Sequence, residues 1–401
     1  MLYPCTTYPT TNYFPNLTSK LRVAILSLGG LGGSGKVATE LARELTIAGA
    51  SAFLLTNPAA QWVNKNDSSL CHISVNAPKT PTAAEAKWIV PLADEIVRQV
   101  EKHDIKILSV HYAVGLVEAA LLARQKLANR HRSLSICLTL HGSDVTKFGR
   151  NSNYNSQLRN SILACDGVTA VSHWLADEAV RIFDLETRPT VIHNAIDLDL
   201  FHPYRRWITN HNNTLNLCHV SNLREVKRPL DAIEILARVR GAGVPARLLM
   251  IGDGSLISQT RDYARKLGVA NEVIFLGAAS PSEVVRWLAV SDLQLVTSQS
   301  ESFCLAALEA MACEVPVVGT YCGGLEEVMA KLDKSMPAKL LSVPGDTAAM
   351  AAKVVQLYNS PAIYQQIRDS LRNQIQLHFS RTAQLQAYSN LFGALQQEVE
   401  A

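Results

Sequence analysis

The chain has 401 residues, of which 48% are apolar and 18% are charged, and its net charge is +3. A chain of this length is expected to form two or three domains that bury apolar cores without disulfides or metals. The nearly balanced charge and the aromatic content of only 6% argue against a dedicated nucleic-acid-binding protein. The longest apolar stretches, such as 113–123, are too short and too interrupted to cross a membrane.

The cysteines and the first 20 residues bear on the cellular compartment. None of the eight cysteines forms a C-x-x-C pair, and most lie within apolar runs. We expect them to be small buried hydrophobes in a reducing, cytoplasmic environment. Residues 1–20 lack the basic and apolar regions of a signal peptide and are expected to form a poorly ordered tail.

From Leu21 onward the sequence repeats a short apolar strand, a loop and an amphipathic helix, which predicts an α/β fold with parallel sheets. Predicted strands lie at 22–28, 51–56, 107–110, 135–140 and 168–172, and again at 216–220, 247–251, 273–276, 293–297 and 315–319. A Pro-, Asn- and His-containing linker at 201–214 separates the two series. We therefore predict two Rossmann-like doubly wound domains, 21–200 and 215–380, that face each other across a cleft, and a final helix at 381–400.

Ligands of such sheets bind at the carboxyl ends of the strands. The loop Gly30–Gly35 follows the first strand and matches G-x-G-x-x-G, but no Asp or Glu occurs between residues 45 and 66 to hold a dinucleotide ribose. The backbone amides at this helix start favour an anion or a hydroxyl-rich ligand. A glycine-rich turn without any ligand stays open as the alternative.

Two histidines, His111 and His141, follow neighbouring predicted strands and are expected at the same sheet edge as the glycine loop. The spacing alone leaves a structural role and a site role open for both.

The second half carries a basic segment at 221–228, directly after its first strand. Arg224 and Lys227 precede a helix that begins at Pro229, where cations oppose the helix dipole. A docked diphosphate would explain them, and a solvated charge run is the alternative. Gly252 and Gly254 follow the next strand and would allow close backbone approach to a ligand.

Glu301 and Glu309 are separated by seven residues, and Glu309 lies in a predicted apolar helix. A partly buried carboxylate there suits neutral hydroxyl groups, such as those of a ribose. Asp197-Leu198-Asp199 mimics a metal-binding D-x-D but begins the linker, and we interpret it as a chance match.

Taken together, these motifs resemble the retaining glycosyltransferases of family 4, which have the GT-B fold. The resemblance rests on the GGSG loop, the segment 191–197, Lys227, Gly252-Asp253-Gly254, and Glu301 with Glu309. It implies that the final helix packs back on the N-terminal domain. It also implies catalysis without a metal or other cofactor, with a nucleotide sugar as co-substrate.

Within the family, several segments look like those of enzymes that join UDP-GlcNAc to L-malate in bacillithiol biosynthesis. They are 37–41, 111–113, 139–142, 169–173 and 221–228. The resemblance implies small-molecule partners, a nucleotide sugar and a hydroxy acid, and leaves the oligomeric state open. Another small or lipid-linked acceptor is the first alternative. A nucleotide-sugar isomerase or epimerase on the same fold, and a sensor without turnover, are the others.

The resemblance assigns roles residue by residue. The catalytic residues would be His141, Arg224, Lys227 and Glu301. The donor would be held by Gly33, Gly252, Gly254, Phe303, Cys304, Leu305 and Glu309. The acceptor would be held by Gly32, Gly33, Ser34, Tyr112, Thr139, Asn222 and Arg224. Cys304 stands where the family usually has glycine, so we expect this side chain to crowd the sugar.

Overall fold

The computed structural model describes residues 21–30, 33–58, 60, 62–63, 67–77, 86–203 and 214–400, except for the side chains of residues 86 and 398–400. The predicted tail at 1–20 and residues 204–213 of the predicted linker therefore lie outside the described residues. In the described part of the chain, no helix combines the length and the apolar character that a bilayer span requires.

The chain divides into two compact units. Unit 1 comprises the described parts of residues 1–170, 179–192 and 385–401, and unit 2 those of residues 171–178 and 193–384. These boundaries differ from the predicted ones, because two short segments of the first half belong to unit 2. Their hydrogen bonds explain this: Oγ of Ser172 donates to the carbonyl of Ser302 at 2.6 Å, and Nε2 of His193 lies 2.6 Å from Glu327.

Unit 1 alternates strands and helices in chain order. They are β1 (Arg22–Ser27), α1 (Gly33–Ile47), β2 (Ser51–Thr56), β3 (Cys71–Ser74), α2 (Ile89–His103), β4 (Ile107–His111), α3 (Leu116–Ala128), β5 (Ser135–Leu140), α4 (Ser152–Leu163), β6 (Gly167–Ala170), α5 (His173–Phe183) and β7 (Thr190–Val191). A π-helical turn, Asp144–Gly149, follows β5. The first residues of α5, up to Glu178, cluster with unit 2.

The strands of unit 1 form one parallel seven-stranded sheet in the order β3-β2-β1-β4-β5-β6-β7. The central strands are buried on both faces, which is why they are almost continuously apolar in sequence. Because the order reverses between β1 and β4, the loops after these two strands border the ligand crevice typical of doubly wound sheets.

Unit 2 repeats the plan. Its elements are β8 (Leu215–Val220), α6 (Pro229–Gly241), β9 (Ala246–Ile251), α7 (Ile257–Lys266), β10 (Val273–Gly277), α8 (Pro281–Ala289), β11 (Leu293–Val296), α9 (Leu305–Ala312), β12 (Val317–Thr320), α10 (Gly324–Leu332), α11 (Met336–Leu340), β13 (Leu341–Ser342), α12 (Thr347–Asn359) and α13 (Pro361–His378). Its parallel sheet has the order β10-β9-β8-β11-β12-β13, so its reversal lies between β8 and β11.

The last helix, α14 (Arg381–Glu400), contributes its apolar face to the core of unit 1. Four of its residues belong to this core, Leu385, Tyr388, Phe392 and Leu395. They pack with residues of β1, α1 and β2, so the end of the chain helps to form the first domain's core.

Candidate active site

The residues singled out in the sequence lie at the two switch points. In unit 1, Ser34 follows β1 and Tyr112 follows β4; in unit 2, Lys227 follows β8 and Cys304 follows β11. These are the positions at which doubly wound sheets bind their ligands. The predicted alternation of strands and helices is therefore sufficient to bring the candidate residues of each unit to one sheet edge.

Lys227 and Glu301 form an ion pair in unit 2. Nζ of Lys227 lies 2.6 Å from Oε1 of Glu301, and Oγ of Ser298 donates to the same oxygen at 2.7 Å. Burial acts to lower the pKa of Lys227, but the adjacent Glu301 carboxylate outweighs it, and the pKa lies above its usual value. Since an ammonium group has three N–H donors, its contact with Glu301 uses only one of them.

Backbone contacts fix the position of Lys227. Oγ1 of Thr297 donates to the carbonyls of Lys227 and Arg228, at 2.8 and 3.0 Å, and the amide of Gln299 donates to the carbonyl of Val226 at 2.7 Å. The segment after β11 thus holds the segment after β8, and the ammonium group projects from a braced loop.

His219 also links the segments that surround Lys227, and the sequence did not reveal this role. Its Nδ1 lies 3.1 Å from the carbonyl of Leu295, and its Nε2 lies 2.8 Å from Oγ of Ser221. A carbonyl only accepts, so Nδ1 carries the proton and Nε2 accepts from the serine hydroxyl. Burial lowers the pKa of His219 to about 4, which keeps this arrangement neutral.

Gly252 and Gly254 make room for backbone. Gly252 has φ of +125°, and a Cβ added there would lie 1.8 Å from the carbonyl oxygen of Ser221. A Cβ at Gly254 would lie 2.5 Å from the carbonyl oxygen of Leu223. Both glycines therefore allow the loop after β9 to pack on the loop after β8. Their contact with a donor stays a prediction.

Cys304 precedes α9 in a left-handed conformation with φ of 72°. Glycine adopts this conformation without the steric cost that a side chain brings, which gives a physical reason for a glycine at this position. The thiol is buried, and burial together with the nearby Glu301 carboxylate raises its pKa well above the usual value. A neutral thiol therefore lies next to the ion pair.

The remaining predicted donor residues belong to the same loop and helix. The side chain of Phe303 is buried, and its ring lies 5.7 Å from that of Phe379, so only its backbone is offered to a ligand. Leu305 begins α9, and Glu309 lies in the same helix with 9% of its surface exposed. The contacts of these residues with a donor stay predictions.

Asn222 and Arg224 lie together on the exposed loop after β8. With the amide oriented so that its oxygen faces the guanidinium, Asn222 accepts hydrogen bonds from Nη2 and Nε of Arg224, the latter at 3.2 Å. The asparagine therefore orients the planar fork of the arginine, a group suited to a carboxylate or a phosphate.

In unit 1, Gly33 and Ser34 form the start of α1. The first N–H groups of a helix have no partner within it and favour an anion. No acidic residue occupies the first turn of this helix. Gly32, also predicted to contact the acceptor, lies outside the described residues.

Tyr112 has an unusual backbone conformation for a residue with a side chain, with φ of 103°. Its hydroxyl lies 2.7 Å from Oγ of Ser143, and its amide donates to the carbonyl of Thr139 at 3.2 Å. Such conformations persist only where the surroundings impose them, and they cluster at functional sites. This conformation brings the phenol to the segment after β5.

His111 and His141 lie at the same sheet edge, as predicted, and the structure shows in addition that their rings are in direct contact. Nδ1 of His111 lies 3.0 Å from Nε2 of His141. Burial lowers the pKa of both rings, that of His141 to about 3 and that of His111 well below its usual value. Both imidazoles are therefore neutral near pH 7.

Asp144 organises the loop that carries His141, a role that was not predicted from the sequence. This fully buried carboxylate accepts hydrogen bonds from the amides of His141 at 3.1 Å, Gly142 at 2.7 Å and Val145 at 3.2 Å. Its place three residues after His141, at the start of a helical turn, was the available signal.

Thr139 does not face an acceptor pocket in the way predicted. Its side chain is fully buried, and Oγ1 lies 2.9 Å from Oγ1 of Thr169 and 3.3 Å from the hydroxyl of Tyr388. These three hydroxyls form a polar chain inside unit 1. Hydrogen bonding to Thr169 and to Tyr388 of α14 turns the Thr139 hydroxyl into the interior of unit 1.

One group of described residues has a donor set that could hold a metal, His173, His193 and Glu327, whose ligand atoms lie within 4.8 Å of one another. The Glu327 carboxylate, however, accepts the amides of His173 and Trp174, both at 3.0 Å, and contacts His193 at 2.6 Å. It therefore serves as a cap for the start of α5. The predicted absence of a metal stays a prediction.

Asp197, the first residue of the D-x-D sequence, has structural partners. Oδ2 of Asp197 pairs with Nη2 of Arg381 at 2.5 Å, and Oδ1 accepts the amides of Asp199 and Leu200 at 3.1 and 3.0 Å. These contacts account for Asp197 as part of a turn.

Comparison with known proteins places these sites in a family. Residues 31–200 match the family described as Glycosyltransferase Family 4, and residues 205–375 match Glycosyl transferases group 1. The chain is 30% identical over 380 residues to N-acetyl-alpha-D-glucosaminyl L-malate synthase of Bacillus anthracis, which covers 93% of this chain and 97% of that protein.

Solved structures share the fold. Sucrose-phosphate synthase from Thermosynechococcus elongatus superposes with a TM-score of 0.77 at 18% identity, over 94% of this chain and 100% of that one. Anabaena HepE in complex with UDP and glucose gives a TM-score of 0.77 at 17% identity, over 93% and 100% of the two chains. These likenesses confirm the predicted GT-B fold. With a 30% identical relative that matches over almost its whole length, they show that the chain belongs to the family-4 glycosyltransferases and is a glycosyltransferase.

Proposed function

We propose that this glycosyltransferase moves GlcNAc from UDP-GlcNAc to the hydroxyl group of L-malate, with retention of the anomeric configuration. The observation that carries the proposal is the 30% identity, over 93% of the chain, to a protein named for the synthesis of N-acetyl-alpha-D-glucosaminyl L-malate. The geometry of each unit supports it with groups of suitable charge.

The donor diphosphate is assigned to the Lys227 ammonium group. Lys227 is braced by backbone contacts and kept charged by Glu301. When the UDP group departs, negative charge develops on the β-phosphate, and a fixed cation stabilises it as it appears. Glu301 then has two functions, since it positions the lysine and offers its other oxygen to sugar hydroxyls.

The acceptor carboxylate is assigned to Arg224. Its guanidinium group is oriented by Asn222 and lies on an exposed loop, so it can present two parallel N–H donors. The acceptor contacts of Tyr112 and Ser34 stay predictions. Thr139 is hydrogen-bonded to Thr169 in the interior of unit 1 and is not assigned a contact with malate.

The proposed reaction is a front-face displacement. The malate hydroxyl oxygen bonds to the anomeric carbon, and the bond from that carbon to the β-phosphate oxygen breaks. The proton of the hydroxyl passes to the departing phosphate oxygen, which yields GlcNAc-malate and UDP. The proposal includes no metal.

Mass spectrometry of the products tests this proposal. The protein is incubated with UDP-GlcNAc and L-malate in buffer with EDTA, and an adduct of the mass of GlcNAc plus malate minus water is expected together with UDP. Arg224→Gln should reduce adduct formation, whereas Arg265→Gln, at a side chain that is 69% exposed on α7, should not. Free sugar, an isomerised nucleotide sugar or the absence of any malate adduct would contradict the proposal.

A further inference from the structure

The contact between His111 and His141 contains information about where the protons lie. His111 ends β4 and is fully buried, while His141 directly follows β5. Their rings meet through Nδ1 of His111 and Nε2 of His141, 3.0 Å apart. The backbone amide of His141 donates to the Asp144 carboxylate, so the backbone of His141 is held by Asp144 while its ring contacts His111.

Only two arrangements of protons fit two neutral rings in this contact, because each ring carries a single N–H. In the first, His111 donates from Nδ1, and the proton of His141 lies on Nδ1. In the second, His141 donates from Nε2, and the proton of His111 lies on Nε2.

The surroundings of His111 distinguish the two arrangements. Its Nε2 is buried and has no hydrogen-bond partner among the described residues. The second arrangement would place an unpaired N–H there, and buried N–H groups without partners are rarer in proteins than under-satisfied acceptors. The first arrangement leaves only a lone pair at that position and is therefore favoured.

We propose that His111 is a positioning residue that holds His141, a predicted catalytic residue, in the tautomer with its proton on Nδ1. The effect on activity rests on the proposed function, but the tautomer itself does not. With Nε2 of His141 engaged by His111, the remaining ring nitrogen carries a proton and cannot accept one. His141 is thereby excluded as the general base of the transfer, and the acceptor proton must go elsewhere.

The tautomer can be measured without any substrate. Long-range proton–nitrogen correlation spectra of the protein labelled with ¹⁵N-histidine distinguish Nδ1–H from Nε2–H rings. The signals of His141 are assigned by their loss in His141→Asn. His219 is an internal reference, since its Nδ1 must donate to the carbonyl of Leu295.

The expected spectrum of the native protein shows the Nδ1–H pattern for His141. His111→Leu removes the donor, and His141 should then move towards the Nε2–H pattern, with kcat/KM reduced at least ten-fold. His111→Asn places an amide N–H near the position of Nδ1 and should keep the native pattern and recover most of the activity.

An Nε2–H pattern for His141 in the native protein would overturn the proposal, and that result needs no variant to fold. An unchanged Nδ1–H pattern in folded His111→Leu would overturn it as well. Either result leaves the proposed substrates intact, because product analysis tests those separately.

Discussion

The Lys227–Glu301 pair gives the most informative substitution. Lys227→Met keeps a side chain of similar length but removes the charge, so Glu301 retains the hydroxyl of Ser298 at 2.7 Å as a partner and loses the ammonium at 2.6 Å. Both side chains are largely shielded, 21% and 11% exposed, so solvent does not fully screen the loss. A hydrogen bond between charged groups contributes roughly 1.5–3 kcal/mol, and we expect the free energy of unfolding to fall by about this amount.

The effect on activity has a separate origin. Losing one charge-assisted bond to the donor phosphate at roughly 1.5–3 kcal/mol corresponds to a 10- to 150-fold decrease in kcat/KM. A second variant separates the two effects. In Lys227→Met/Glu301→Gln no unpaired charge is left, so the free energy of unfolding should return to within about 1 kcal/mol of the native value while kcat/KM stays low.

Urea denaturation and steady-state kinetics measure the two quantities on the same samples. Lys266→Met, at an exposed lysine in the last turn of α7, controls for the loss of one positive charge. Near-native kcat/KM in folded Lys227→Met would refute the assignment of this lysine to the donor. Recovery of kcat/KM in the double variant would show that stability, not charge at the phosphate, had been lost.

The other predictions concern conformation and protonation. Cys304→Gly relieves the left-handed backbone strain but also removes a buried side chain, so the two effects should offset each other and change the free energy of unfolding by less than about 1 kcal/mol. KM for the donor should fall in this variant. Cys304→Ala keeps the backbone strain and should be the less stable of the two variants. Gly252→Ala should lower the free energy of unfolding by about 3 kcal/mol or more, or prevent folding, because its Cβ would lie 1.8 Å from a carbonyl oxygen, whereas Gly241→Ala, with nothing within 4 Å, should fold normally. Between pH 6.5 and pH 5 the free energy of unfolding should decrease as the pH falls, because three buried histidines have depressed pKa values in the folded state and the unfolded chain therefore binds more protons. Each of these histidines should lower the free energy of unfolding by up to about 1.4 kcal/mol per pH unit. These histidines are His111, His141 and His219. Urea denaturation across this range would contradict the interpretation if the free energy did not change.

Periodicity and turn residues were sufficient to predict the sheets. All ten predicted strands are present within two residues of their predicted ends, because buried parallel strands are short apolar runs between loops. The strands that the sequence missed are β3, β7 and β13. They lie at sheet edges, and two of them contain only two residues, so they carry no pattern of their own.

The sequence predicted the location of those candidate residues that directly follow a strand. The parallel order of β4 and β5 places His111 and His141 at one sheet edge, as predicted, but the contact between their rings was not predicted. The ion pair of Lys227 with Glu301 was not predicted, although both residues were singled out, since it depends on how two loops pack. His219 was missed for the same reason: nothing in a strand sequence shows which carbonyl a buried ring will meet.

The family resemblance assigned roles to residues but did not show which way their side chains point, and Thr139 is an example. The resemblance implied an acceptor contact for it, but its hydroxyl belongs to a buried chain with Thr169 and Tyr388. Tyr388 comes from α14, which is 249 residues away in sequence, so local patterns contain no signal for this partner.

Acceptor competition tests the central claim most directly. With UDP-GlcNAc held constant, L-malate is compared with D-malate, lactate, glycerol and malate in which one carboxylate is replaced by an amide, and initial rates of adduct formation are measured by mass spectrometry. We predict that L-malate reacts fastest and that loss of one carboxylate reduces kcat/KM by about 10²-fold or more, because the donors assigned to that carboxylate are left unpaired. Equal rates with lactate and L-malate would show that the second carboxylate is not recognised, and would contradict the malate assignment while leaving the glycosyltransferase itself in place.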